Sequence, residues 1–95
     1  MEIKYIDYQS TDDFLTAVAK KCVSELTEKD IQILLEETNL MVFHFGIGMY
    51  IRNKFIYPQK KFESDDNCAK IFDLLMYADH YSNTVVKLII DLLKK

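Results

Sequence analysis

LMVFHFGIGMYIRNKFI, residues 40–56, is the most apolar stretch of this 95-residue chain and holds both of its glycines, Gly46 and Gly48. Residues three and four apart share a face of a helix. On that spacing Leu40, His44, Ile47 and Ile51 form one stripe, and Met41, Phe45, Gly48 and Arg52 form another. Phe43, Tyr50 and the stem of Lys54 lie beside the first. Apolar groups surround most of the circumference, so a helix over 39–53 is expected to be central, with other helices on several sides. Each glycine costs roughly 1 kcal/mol relative to alanine in a helix interior, and close packing of a neighbouring helix is the compensation expected. Thr38 or Asn39 suits the start. Asn53 suits a left-handed C-terminal residue before an extended KFIYP exit, where Pro58 forbids continuation. A strand over 41–45 is the rival, since Val and Phe favour strands.

Working outward, 49% hydrophobic content over this length is enough for one domain with a single core, residues 1–95 with an N-terminal arm over 1–9. The apolar run is interrupted by His44 and ends at Arg52, short of the roughly 20 residues that span a bilayer. MEIKYIDYQS has two acids and lacks the apolar core of a secretory leader. These features predict a soluble, cytoplasmic protein without membrane attachment.

Upstream, residues 2–8 alternate loosely and read as a short strand or an extended arm. Ser10 with Asp13 resembles a capping box, and Phe14, Leu15, Val18, Ala19, Cys22, Val23 and Leu26 follow at helical spacing, which predicts a helix over 12–25. Thr27 with Asp30 repeats the start signal for a short helix ending near Glu37. Downstream, the periodicity fails over 54–66, which reads as a connecting loop. Ser64, Asp65 and Asp66 then open a helix whose buried side is expected to be Cys68, Ile71, Phe72, Leu74, Leu75 and Met76. A last helix capped by Asp79 and running to Lys94 carries Tyr81, Val85, Leu88, Ile89 and Leu92 on one face. One long helix over 66–94 is the alternative, but about 28 residues is long for a small domain. The expected fold is all-α, a bundle of about five helices.

Cys22 and Cys68 stand apart, and two histidines complete the set of soft ligands. No zinc-type spacing is present and no metal or cofactor is implied. Both thiols fall on apolar stripes and are expected to be buried and reduced. Charge is uneven: residues 1–40 carry nine acids and four bases, residues 41–95 six acids and eight bases. An acidic first half disfavours general phosphate binding and suits a basic protein partner. The candidate partner-binding residues are therefore Glu25, Glu28, Glu36 and Glu37, with Lys54, Tyr57, Lys60 and Lys61 of the loop. The same loop, with Arg52, Phe55 and Phe62, is the one basic and aromatic patch that could track a single nucleic-acid strand.

The run HFGIGMYIRNKF, followed by ADHYS and an aliphatic helix, resembles a family of small uncharacterised bacterial domains with an HFGxGxxIRN core and a downstream D-x-x-S segment. The likeness covers about 26–93, with matching positions His44, Gly46, Gly48, Ile51, Arg52, Asn53, Asp79 and Ser82. It implies a helical fold and no established activity. The family segment usually reads D-D-A-S, so His80 and Tyr81 depart from it. His44 and Arg52 lie about 12 Å apart along a helix and some 80° around it, which argues against one catalytic constellation with Ser82. No nucleophile elbow, phosphate loop or paired-carboxylate motif is present. The expected role of His44, Arg52, Asn53, Asp79 and Ser82 is a structural polar core in which Arg52 pairs with Asp79 to tie the central helix to the last. The preferred function is a stoichiometric binding protein without enzymatic activity, such as an immunity protein or a phage-encoded inhibitor of bacterial defence. A nucleic-acid-associated regulator and a small enzyme with His44 as base are the alternatives, and self-association is a further way of covering an apolar face.

Overall fold

A computed structural model describes residues 2–36 and 46–94. The proposed cap residues, His44 and the rival strand over 41–45 lie outside the described residues, as does Glu37. The described chain is helical, without a strand. An arm with one 3-10 turn (Tyr5–Asp7) leads into α1 (Thr11–Glu25) and α2 (Glu28–Glu36). After Gly46 the chain runs through α3 (Ile47–Ile51), a π-helical segment (Arg52–Ile56) and a 3-10 segment (Tyr57–Phe62), then α4 (Cys68–Met76) and α5 (Ala78–Leu93). The helix-rich bundle expected from the periodicity is present.

Local chemistry sets the starts of the first two helices. Ser10 Oγ accepts from the Asp13 amide at 3.1 Å. At α2 the capping box closes in both directions, Asp30 N–H to Thr27 Oγ1 at 3.2 Å and Thr27 N–H to Asp30 Oδ2 at 3.3 Å.

The core lies between α1 and α5, the most extensively packed pair among the described helices. Phe14, Leu15, Val18, Ala19 and Cys22 of α1 meet Ala78, Val85, Val86 and Ile89 of α5 in one buried cluster, which Tyr5, Leu34, Ile51, Phe55, Ile56, Ile71 and Leu74 complete. Each large apolar side chain so buried contributes roughly 1.5–3 kcal/mol relative to exposure. α3 also packs on α5, and Gly48 of α3 is buried. The described part of the expected central helix is one-sided, however: Met49 and Tyr50 are nearly half exposed.

Four expectations need correction. First, Asn53 does not end the helix. No described residue has a positive φ, and Gly48, Ile51, Arg52, Phe55, Ile56 and Gln59 are all buried at helical spacing. Two polar members of that stripe, Arg52 and Gln59, hide the periodicity from a hydrophobicity reading. Pro58 is accommodated because the Tyr57 N–H closes the π turn on the Arg52 carbonyl. Pro58 then takes the second position of a 3-10 segment, where an N–H has no obligatory partner.

Second, α4 begins at Cys68. The Asn67 side chain organises the preceding turn, accepting from Ser64 N–H at 2.6 Å and donating to the Phe62 carbonyl at 3.1 Å. Third, Cys68, Phe72 and Met76 are exposed, while Ile71 and Leu74 are buried. The helix has two neighbouring apolar stripes, and the bundle covers one. Fourth, Asp79 lies inside the first turn of α5 and does not cap it; the N-cap position is Tyr77, with no side-chain cap bond. The expected break before Ala78 is present, with Tyr77 at φ −104° and ψ 28°.

The N-terminal arm is held by a residue far away in sequence. The Gln59 side chain accepts from the Tyr5 N–H at 2.8 Å and donates to the carbonyls of Ile3 at 2.9 Å and Phe55 at 2.8 Å. Tyr5 itself is buried, edge-on to Phe14 with ring centroids 5.0 Å apart, and its hydroxyl bonds Thr11 Oγ1 at 2.8 Å.

Candidate functional site

The candidate polar residues divide into three places. The π segment turns Arg52 inward, where it is 6% exposed. Its Nη1 donates to Ser82 Oγ at 2.8 Å, and its Nε lies 3.4 Å from Asp79 Oδ1. Ser82 Oγ donates in turn to the Asp79 carbonyl at 3.0 Å. Arg52 thus ties the π segment to the first turn of α5. The Asp79 side chain is 72% exposed, so this is a half-hydrated pair. Asn53 is exposed and takes no part in the polar core, because one residue beyond Arg52 points about 100° away on a helix. Ser82 Oγ accepts from the guanidinium on one side and donates to the Asp79 carbonyl on the other. The arrangement is a structural clamp.

The second place joins the two halves of the proposed partner-binding set to each other. Lys54 Nζ lies 2.7 Å from Glu25 Oε2 and 2.8 Å from the Tyr50 hydroxyl, which itself donates to Glu25 at 3.2 Å. The ammonium also sits over the Tyr50 and Phe55 rings. Hydrogen bonding to Lys54 holds the Glu25 carboxyl below its ordinary range, and the same contact raises Lys54. Below this link, burial, with Glu25 adding to it, pushes the Cys22 thiol up to about 11. Cys22, Glu25, Leu26, Asp30 and Tyr50 border an open cavity of about 410 Å³.

Of the other predicted partner residues, Lys61 pairs with Glu2, while Glu28, Glu36, Tyr57 and Lys60 are exposed. Phe55 is buried and Phe62 half-buried, with Lys4 and Lys61 over the Phe62 ring. Tyr57 is the one exposed aromatic of this segment. Stacking on nucleic-acid bases needs outward rings, and two of the three turn inward.

The third place is one that the sequence reading assigned to the core. Phe72 and Met76 are each 59% exposed and Tyr77 50%. Cys68, Phe72 and Met76 succeed one another at four-residue steps, about 12 Å along one face of α4. Tyr77 continues the surface, edge-on to Tyr81 at 6.5 Å, and His80 lies against Tyr81 at 5.6 Å. Tyr81 is half-buried; burial, with Asp73 next in effect, raises its phenol above the ordinary value. The signal for this surface was present in the sequence as a second apolar stripe beside Ile71, Leu74 and Leu75.

Neither a protein-family model, a curated protein nor a solved structure matches the chain. Among the described residues no three His, Cys, Asp or Glu side chains converge where they could hold a metal ion. None of the described helices is long and apolar enough to cross a membrane.

Proposed function

We propose that the chain is a small stoichiometric protein-binding module that acts in the cytoplasm by occupying a partner protein, in the manner of an immunity protein or a phage-encoded anti-defence inhibitor. Membership of the bacterial family that the HFGIGMYIRN motif resembles is part of the same proposal. The observation that carries it is the exposed stripe Phe72, Met76 and Tyr77 beside a helix whose Ile71 and Leu74 are buried in the core. Aromatic residues and methionine are the types enriched in interface cores, and a contiguous apolar patch on a small domain marks an interaction site. The residues expected to contact a partner contribute less free charge than their number implies, since Glu25 and Lys54 neutralise each other and Lys61 pairs with Glu2. At Arg52 and Ser82 the described contacts join the π segment to α5, which is consistent with a packing role in a binding protein.

The test is capture from bacterial lysate with the tagged chain, quantified by mass spectrometry beside light scattering of the eluate. A single partner at fixed stoichiometry, lost with Phe72→Glu and retained with Lys60→Glu, is the expected result. Capture of no partner, or a partner retained by Phe72→Glu, would overturn the proposal.

A further inference from the structure

The charges around the exposed α4 stripe define what it can accept, and this inference rests on the protein-binding proposal. Residues 63–80 carry five acids, Glu63, Asp65, Asp66, Asp73 and Asp79, against one base, Lys70. Lys70 is directed away from the stripe, with its ammonium 4.9 Å from the Tyr5 ring centroid and 3.4 Å from the Tyr8 carbonyl. Glu63, Asp65, Asp66 and Asp73 are exposed, and Asp73 contributes to the raised phenol of Tyr81. Asp79 is turned to Arg52. The surface is therefore an apolar line two helical turns long, with Asp73 on the same helix and Glu63, Asp65 and Asp66 in the segment that leads into it.

We infer that this face receives a cationic amphipathic helix of a partner protein, whose apolar stripe packs along Phe72, Met76 and Tyr77 and whose lysines or arginines reach Asp65 and Asp73. Opposite potentials across an interface steer association and fix register, and an amphipathic helix is read by anchors at such spacing. A second copy of the chain is disfavoured, since a two-fold contact repeats the same patch on both sides and opposes carboxylate to carboxylate. An anionic membrane surface is disfavoured by the same charges.

Other exposed apolar residues make weaker claims. Ile6 and Tyr57 are isolated, which is normal for a soluble domain. Ile33, Leu35, Met49 and Tyr50 lie on the helices that enter and leave residues 37–45, which are outside the described residues.

The experiment uses the whole chain and two synthetic helical peptides of equal length, one built from Leu and Lys and one from Leu and Glu. Binding is followed by the NMR signals of the Met76 methyl and the Tyr77 ring. The Leu/Lys peptide is expected to move both signals and saturate at one per chain. Phe72→Ala should weaken it about tenfold or more, the scale of an anchor residue, as should Asp65→Lys combined with Asp73→Lys. These side chains are exposed, so circular dichroism should report an unchanged fold. Equal binding of both peptides, binding of neither, or binding that moves α1 and α2 signals while Met76 stays fixed would overturn the inference. So would a homodimer in light scattering that Phe72→Glu dissociates, because a second copy would then be the occupant. If neither peptide binds while lysate capture still depends on Phe72, this inference fails and the protein-binding proposal stands. If capture is also indifferent to Phe72, both fail.

Discussion

Gln59→Ala should release the N-terminal arm. Gln59 is 2% exposed and makes three hydrogen bonds to backbone groups of Ile3, Tyr5 and Phe55. Two of these bonds are buried and the third is partly so. A buried polar group left unsatisfied costs about 1–3 kcal/mol, so an arm that stayed in place would lose about 2–6 kcal/mol for the two buried groups once water had reached the Ile3 carbonyl. An arm that detached would rehydrate those groups but expose Tyr5, at a cost of about 1.5–3 kcal/mol. Either route converges on about 3 kcal/mol, which corresponds to a fall in Tm of roughly 12–24 °C for a domain of this size.

Thermal unfolding by circular dichroism measures the loss, and exchange of the Tyr5 amide locates it. Gln59→Glu separates hydrogen bonding from packing. It keeps the shape but points a carboxylate at two carbonyls, so folding should raise its pKa. A raised acid pKa makes the penalty small at low pH, growing as pH rises from the unfolded value through the folded one. A Gln59→Ala protein within about 3 °C of wild type, with Tyr5 still protected, would refute the reasoning.

At the Arg52 clamp, Ser82→Ala should cost about 1–3 kcal/mol because it removes a buried acceptor from the guanidinium. Asp79→Asn, at an exposed carboxylate, should cost about 1 kcal/mol or less; urea unfolding that reverses this order contradicts the assignment. The Glu25–Lys54 link should add stability above the ordinary glutamate pKa and lose it as pH falls through the depressed value of Glu25. It should persist until pH rises through the elevated value of Lys54. Glu25→Gln should therefore flatten the acid limb of the stability profile, and an unchanged limb would show that the link contributes nothing. With a thiol reagent at neutral pH, exposed Cys68 should react at once and buried Cys22 only in denaturant. Two fast thiols in the native protein would contradict the placement of Cys22.

What was legible in the sequence was local or periodic. Thr27 and Asp30 cap α2 through bonds three residues long, and the aliphatic spacing of 81–92 places α5 correctly. The pairing of Arg52 with Asp79 was named from the two residues of the resembled motif, not from periodicity, and the contact is seen only once the π segment is placed against α5. Gln59 was illegible because its partners are backbone atoms, two of them more than fifty residues away, and backbone leaves no signature in side-chain types. The helical path through 52–62 was hidden by two polar residues on its buried face. The stripe of Cys68, Phe72 and Met76 was legible as apolar but not as exposed: periodicity shows which residues share a face, and packing decides which faces are covered.

The most direct measurement of the binding face is amide hydrogen exchange on the captured complex against the free chain. Slowed exchange concentrated in residues 68–80 is the result predicted. Protection confined to 52–62 or to α1 and α2, with 68–80 exchanging as in the free chain, would contradict it.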